Sequence, residues 1–413
     1  MTAPAIPATP AAPTAAELDA ADPLAAYAAE FVPSDQVVAY LDGNSLGRPL
    51  RASEHRFADF IARDWGSRLI RSWDERWMEL PFTLGDRIAS ATLGAASGQT
   101  VVGDSTTVLL YKLARACIDA RPGRDEVVVD TGNFPTDRFL LEGIAAERGL
   151  TLRWITPDAA GGVTVDQVAA EVGERTALVL LSHVDYRSGY VTDLPGITAV
   201  AHDAGALVLW DLSHSVGALP VGLDASGADV AVGCTYKYLN GGPGAPAFAY
   251  VRADLQDALQ QPIQGWMGAG DVFAMADEYT PAAGMRRFLS GTPPVVGMLA
   301  LHDMLDLIEK VGIEAIRQKS VQLTSYVIDW TDQHLAGLGV RVSSPREERL
   351  RGGHVTLSHP AFREVTARLW QRDVIPDFRF PDGLRVGLSP LSTTFAEVEA
   401  GLEAIREELQ ALV

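Results

Sequence analysis

The sequence predicts an α/β fold with a mostly parallel sheet, followed by a smaller α+β unit. Three observations carry this. Short apolar runs recur between residues 126 and 251, helical patterns separate several of them, and the texture changes after Gly291. The runs cover 126–130, 177–182, 206–211, 229–233 and 247–251. They are continuous and rich in β-branched residues, as strands buried on both faces should be. Helical patterns over 136–149 and 195–205 lie between them, and strand alternating with helix gives a parallel sheet. Ligands of such sheets sit beyond the carboxyl ends of strands, so polar residues there are examined first. Beyond Gly291 the pattern predicts a long amphipathic helix over 295–318 interrupted by Gly312, and another over 321–335. Extended segments follow at 354–358 and 384–388, with helices over 362–373 and 394–412. With the boundary at 291–294, the expected division is a tail and arm over 1–50, a large ligand-binding unit over 51–292 and a small unit over 293–413.

The chain has 413 residues, enough for two to three domains' worth of core. Its formal charge of −19 would repel phosphate backbones and anionic membranes, so neither nucleic acid nor membrane is an expected partner. No run of about 18 apolar residues occurs. Two cysteines, Cys117 and Cys234, imply no disulfide framework and fit a reducing cytoplasm. Residues 1–14, rich in Ala and Pro, lack the basic flank and apolar core of a secretory signal and are expected to form a loose tail.

Only four lysines occur: Lys112, Lys237, Lys310 and Lys319. Lys237 follows the run 229–233 and precedes the glycine-rich stretch Asn240-Gly241-Gly242-Pro243-Gly244. At the mouth of an apolar sheet a lysine loses pKa and can form a Schiff base with a carbonyl cofactor; a loop lysine whose charge reaches solvent is the competing reading. Lys310 and Lys319 lie in polar stretches expected to face solvent, and Lys112 lies in a helical pattern. Asp211 ends the most apolar run, where a carboxylate needs a partner: a protonated pyridine nitrogen, an arginine, or a helix N-terminus that it caps. Ser105-Thr106-Thr107 opens a helical pattern, which serves equally as a phosphate site or as a simple cap. Phe134 and Asp137 follow the run 126–130. They are placed to cover a planar ring and to accept from it, or else to form a turn and a capped helix. There is no HExxH, CxxC, GxSxG, P-loop or GxGxxG signature, so no metal or nucleotide is expected. A lysine, an acid for a ring nitrogen and a phosphate cradle together describe pyridoxal 5′-phosphate.

The chain resembles the kynureninase family, in the class V aminotransferase group of fold-type I pyridoxal-phosphate enzymes. The motifs are Leu41-Asp42-Gly43-Asn44-Ser45-Leu46-Gly47, Leu69-Ile70-Arg71-Ser72-Trp73, Asn133-Phe134-Pro135-Thr136-Asp137, Asp211-Leu212-Ser213-His214-Ser215 and the segment from Gly233 to Gly244 around Lys237. Together they span about residues 40 to 412. The resemblance implies a large domain with a mostly parallel seven-stranded sheet, a smaller C-terminal α+β domain, and a cytoplasmic homodimer with shared active sites. It implies that Lys237 bears the cofactor, Asp211 pairs with its ring nitrogen and Phe134 stacks on its ring. Thr106, Thr107, Tyr236 and Trp266 hold the phosphate, while Asp137, Ser182, His214 and Thr292 complete the cofactor shell. Arg385 clamps the substrate carboxylate, and Trp65, Ser67 and Thr292 shape the substrate's ring pocket. Leu109, Asp74 and Asp185 depart from the family pattern, which has asparagine at these positions.

The activity so implied is hydrolysis of L-kynurenine to anthranilate and L-alanine in tryptophan catabolism, with Lys237, Asp211 and Tyr236 as catalytic residues. The unsubstituted substrate is expected to be preferred to 3-hydroxy-L-kynurenine. The alternatives are a related enzyme of secondary metabolism acting on another amino acid, and a non-catalytic binding protein of the same fold. The binding protein predicts loss of the lysine or its acid, and both are present. A cysteine desulfurase needs a distal loop cysteine, and none follows Cys234.

Overall fold

A computed structural model describes residues 13–412. In chain order its strands are β1 (Ala39–Tyr40), β2 (Thr100–Gly103), β3 (Glu126–Asp130), β4 (Thr151–Ile155), β5 (Thr176–Ser182), β6 (Leu207–Asp211), β7 (Val230–Gly233) and β8 (Ala247–Val251). Then come β9 (Arg341–Val342), β10 (His354–Ser358), β11 (Val374–Ile375), β12 (Asp377–Arg379) and β13 (Gly383–Gly387). Seven of these form one sheet in the order β2-β8-β7-β6-β5-β3-β4. Only β8 runs against its neighbours; the others pair in parallel, so the expected mostly parallel sheet is present.

Successive side chains of a strand point to opposite faces, and here both faces are covered. Val128, Val179, Leu181, Val208 and Trp210 enter one apolar cluster with Leu84, Ile88, Ile197 and Leu301. Val127, Val129, Leu178, Leu180 and Leu209 enter another with Leu110, Leu113, Leu141 and Ile144. This double burial is why the runs read as continuous. The sequence reading missed β4, an edge strand whose residues are exposed or half-buried up to Ile155, and the four-residue β2. Neither presents a long apolar run.

The helix Val295–Val311 ends at Gly312, whose φ of 86° lies in the left-handed region. The next helix, Ile313–His334, is continuous and starts well before the expected residue 321. Met298, Leu301, Met304, Leu305 and Ile308 pack into the first cluster of the large sheet. A division after 292 therefore puts in the small unit a helix that packs against the large one. Beyond it, the antiparallel sheet β12-β13-β10-β9 builds a third cluster with the helices Phe362–Trp370 and Phe395–Gln410.

The N-terminal arm joins both units. Leu24, Phe31 and Leu50 belong to the large sheet's core, and Ala39 and Leu41 to the small unit's, where β1 pairs with β11. Most of the expected tail lies outside the described residues, but Thr14 caps the helix Ala15–Ala21 with a capping box. Asp19 accepts from the amides of Phe395 and Ala396, closing the N-terminus of the last helix.

The expectation for Lys319 is corrected. Its side chain is 2% exposed and pairs at 2.7 Å with Asp22, itself 1% exposed. The docked arm covers what would otherwise be a solvent-facing stretch. Breaking a buried pair leaves an uncompensated charge, so Asp22→Ala should destabilise the protein by about 3–5 kcal/mol. The double variant Asp22→Leu with Lys319→Met should lose much less. Urea denaturation of the variants checks this, and equal losses would mean that the pair itself is unimportant.

Candidate active site

The carboxyl ends of β3, β5, β6 and β7 converge on a cavity of about 170 Å³. It lies where successive strands switch from one side of the sheet to the other, the ordinary ligand position of such folds. The loop after β7 brings Tyr236 and Lys237, the turn after β6 brings Asp211, Ser213 and His214, β5 ends in Ser182, and the segment after β3 brings Phe134, Thr136 and Asp137. From the side of β2, Ser105, Thr106 and Thr107 reach the cavity at the start of the helix Thr106–Asp119.

Lys237 is buried. Its Nζ lies 2.9 Å from His214 Nε2 and 6.0 Å from the centroid of the Phe134 ring. The N-terminal arm braces its loop: the Gly47 amide donates to the Tyr236 carbonyl at 2.8 Å, and Asn240 donates to the Arg48 carbonyl at 2.8 Å. A Cβ at Gly47 would stand 2.4 Å from the Lys237 carbonyl oxygen, so only glycine permits this approach. The alternative of a solvated loop lysine is thereby excluded.

Asp211 is buried and uses one oxygen to accept from the Ser213 amide at 2.7 Å, capping a turn rather than a helix. Asp137 is 1% exposed, and its Oδ2 has no hydrogen-bond partner. Burial, then the neighbouring Asp211 and Asp130 charges, hold its carboxyl well above the usual carboxylate range, with Lys237 opposing. Burial and Asp185 push Asp130 up to about 7. The polar wall continues through Ser182, whose hydroxyl donates to Asn133 Oδ1 at 2.7 Å. Tyr186 stands edge-on to Phe134 at 5.3 Å.

At the other end of the cavity the Ser105 hydroxyl caps the helix, leaving Thr106 and Thr107 in its first turn. Asp104 before it has a φ of 48°. Buried Lys112 holds that turn, donating to Asp104 at 2.5 Å and to the Phe288 carbonyl at 2.9 Å. A helix N-terminus with hydroxyls suits a phosphate. Carboxylates clustered around one amine, with an orphaned acid oxygen among them, suit a protonated ring nitrogen. Phe134 supplies an apolar face. The residues present therefore fit pyridoxal phosphate.

Five residues expected at the site do not line this cavity within one chain. Trp65, Ser67, Trp266 and Thr292 are all exposed and outside the lining. Arg385 is buried but also outside the lining. It donates to the Tyr186 carbonyl at 2.7 Å and to Ser45 Oγ at 2.8 Å, and pairs with Asp377 at 2.7 Å rather than with Asp382. Of the departures from the family pattern, Leu109 simply joins the apolar cluster beneath the sheet, and Asp74 is exposed. Asp185 accepts from the amides of Arg187 and Ser188 and shapes the turn that carries Tyr186. The sequence reading did not name Tyr186 or Thr136 as cavity residues, because neither has a diagnostic spacing.

Comparison with known proteins gives consistent results. The aminotransferase class-V model matches residues 88–360, and the kynureninase C-terminal domain model matches residues 316–405. A kynureninase from Pseudomonas fluorescens is 40% identical over 399 residues, covering 95% of this chain and 94% of its own. One from Burkholderia pseudomallei strain 1106a is 41% identical with the same coverage. Among solved structures, a cysteine desulfurase from Escherichia coli superposes with a TM-score of 0.80 at 19% identity, over 94% of this chain and 99% of its own. At that identity the likeness concerns the fold. Among the described residues, no group of three or more His, Cys, Asp or Glu side chains is placed to hold a metal ion.

The acid cluster has a consequence for stability. An acid whose carboxyl is raised from 3.8 to about 7 on folding keeps its proton longer in the folded chain. Its contribution is full in acid and is lost as pH rises through that window. Asp130→Asn should therefore match the parent near pH 4 and exceed it in stability above pH 7. Urea unfolding across this range checks the sign, and a variant less stable at pH 8 would contradict it.

Proposed function

The chain belongs to the kynureninase family of class-V aminotransferases, and from that premise we propose that it hydrolyses L-kynurenine to anthranilate and L-alanine with pyridoxal 5′-phosphate at Lys237. The observation that carries the site assignment is the convergence of Lys237, Asp211, Asp137 and the Thr106–Thr107 helix start on one cavity. When bound, the cofactor supplies an electron sink for a carbanion at the substrate Cα. The protein's own groups then do the following. Asp211, with Asp137 beside it, holds a proton on the ring nitrogen. Ser105, Thr106, Thr107 and Tyr236 orient the phosphate, and Phe134 covers the ring. The buried Lys237 amine would move the proton at Cα. Tyr236, whose phenol burial pushes upward, stays a neutral donor.

Arg385 is assigned to the substrate carboxylate, since a planar guanidinium grips a carboxylate through two parallel hydrogen bonds. Asp377 neutralises it in this conformation, so substrate binding exchanges one carboxylate partner for another. Reduction of the holoenzyme with borohydride followed by peptide mapping should label Lys237. Release of anthranilate and alanine from L-kynurenine should exceed turnover of the 3-hydroxy form in kcat/KM. Label at Lys112, Lys310 or Lys319, or a preference for the hydroxylated substrate, would reject the respective assignment.

The working unit is a homodimer with shared sites, in the reducing cytoplasm that two unpaired cysteines suit. Supporting the dimer is an apolar face: Trp65 is 57% exposed and Ile70 77%, and with Leu69, Trp73, Pro293, Pro294 and Val296 they border an open groove of about 440 Å³. Trp266 and Thr292 would then serve the partner's site. Mixing Arg385→Ala with Trp266→Ala protomers should regenerate active sites in the heterodimer. No recovery after verified subunit exchange would mean that these residues do not come from different chains.

A further inference from the structure

His354 is fully buried, and neither of its ring nitrogens has a hydrogen-bond partner. It stands at the start of β10 in the small unit, opposite Gly387 and on the same face of the sheet as Thr356. Its ring lies 5.5 Å, centroid to centroid, from that of His214 in the large unit. His214 is also buried; its Nε2 faces Lys237 Nζ at 2.9 Å, and its Nδ1 has no partner. The large unit makes room for this approach at Gly189, where a Cβ would stand 2.9 Å from the His354 carbonyl oxygen and 3.3 Å from its Nε2.

The chemistry of this pair is constrained. A protonated Lys237 nitrogen only donates, so a His214 that pairs with it presents a bare Nε2 and carries its single hydrogen on Nδ1. That N–H points into a site without water access and needs an acceptor. Of the charged and titratable groups that act on His214, Lys237, Arg385 and Arg379 are cationic donors, and His354 is the one that can accept. Burial, the Arg385 charge and the lesser Lys237 and Arg379 charges keep it neutral, so one of its ring nitrogens is bare and can accept.

We propose that His354 is a positioning residue: it accepts from His214 Nδ1–H, fixes the His214 tautomer that faces Lys237, and so ties Lys237 to the seating of the small unit. The inference rests on the reading of Lys237 as the cofactor lysine, and goes beyond it by adding an interdomain contact. Without His354 the His214 hydrogen moves to Nε2 and opposes a proton on the Lys237 nitrogen.

The test is a pH titration of the visible spectrum of the holoenzyme. His354→Phe should lower the midpoint of the absorbance change by about half a pH unit or more. His354→Gln, whose amide oxygen still accepts, should stay near the parent. If the phenylalanine variant does not fold, His354→Leu carries the same comparison. A midpoint unmoved in the Phe or Leu variant, or moved equally in the Gln variant, overturns the inference. A parent protein with no visible absorbance after addition of pyridoxal phosphate would instead reject the cofactor reading beneath it.

Discussion

The site depends on keeping one amine among buried acids. Lys237 stands at the end of β7, while Asp130, Asp137 and Asp211 gather at the ends of β3 and β6. Such a group of acids is costly to bury, and the Asp137 Oδ2 among them has no hydrogen-bond partner. The sheet enforces the arrangement. Its strands are buried on both faces by helices, so their ends cannot relax outward, and the polar residues that follow them are held in a common cleft.

The surrounding structure serves this group from three directions. Lys112 fixes the turn at Asp104 from below the helix start and anchors it to the Phe288 segment. The N-terminal arm closes over the Lys237 loop through Gly47 and Arg48. The small unit leans on the cleft through His354, Arg385 and the Arg351 neighbourhood, where Tyr190 bridges to Arg351 and the Gly352 amide donates to the Gly189 carbonyl at 2.7 Å. Two of the four lysines thus act as structural counter-ions, Lys112 to Asp104 and Lys319 to Asp22. Of the other two, Lys310 is exposed over the Tyr27 ring, and Lys237 is the one that lines the cavity.

The sequence by itself determined the sheet class, five of the seven large-sheet strands and the neighbourhood of Lys237. Runs buried on both faces are written as continuous apolar stretches, and the polar residues after them are adjacent in sequence to the strand ends that aim them. Asp211, Phe134, Asp137, Thr106 and Thr107 were legible for that reason. Tertiary structure alone decided what depends on distant segments meeting. Lys319 is buried because the arm docks over it. The helix Val295–Val311 belongs to the large core because Met298 and Leu301 face that core. Arg385 pairs with Asp377 rather than Asp382 because β12 lies beside β13. His354 reaches His214 only because two units close on Gly189. None of these contacts has a local spacing to betray it, since each joins residues that are neighbours in space and strangers in sequence.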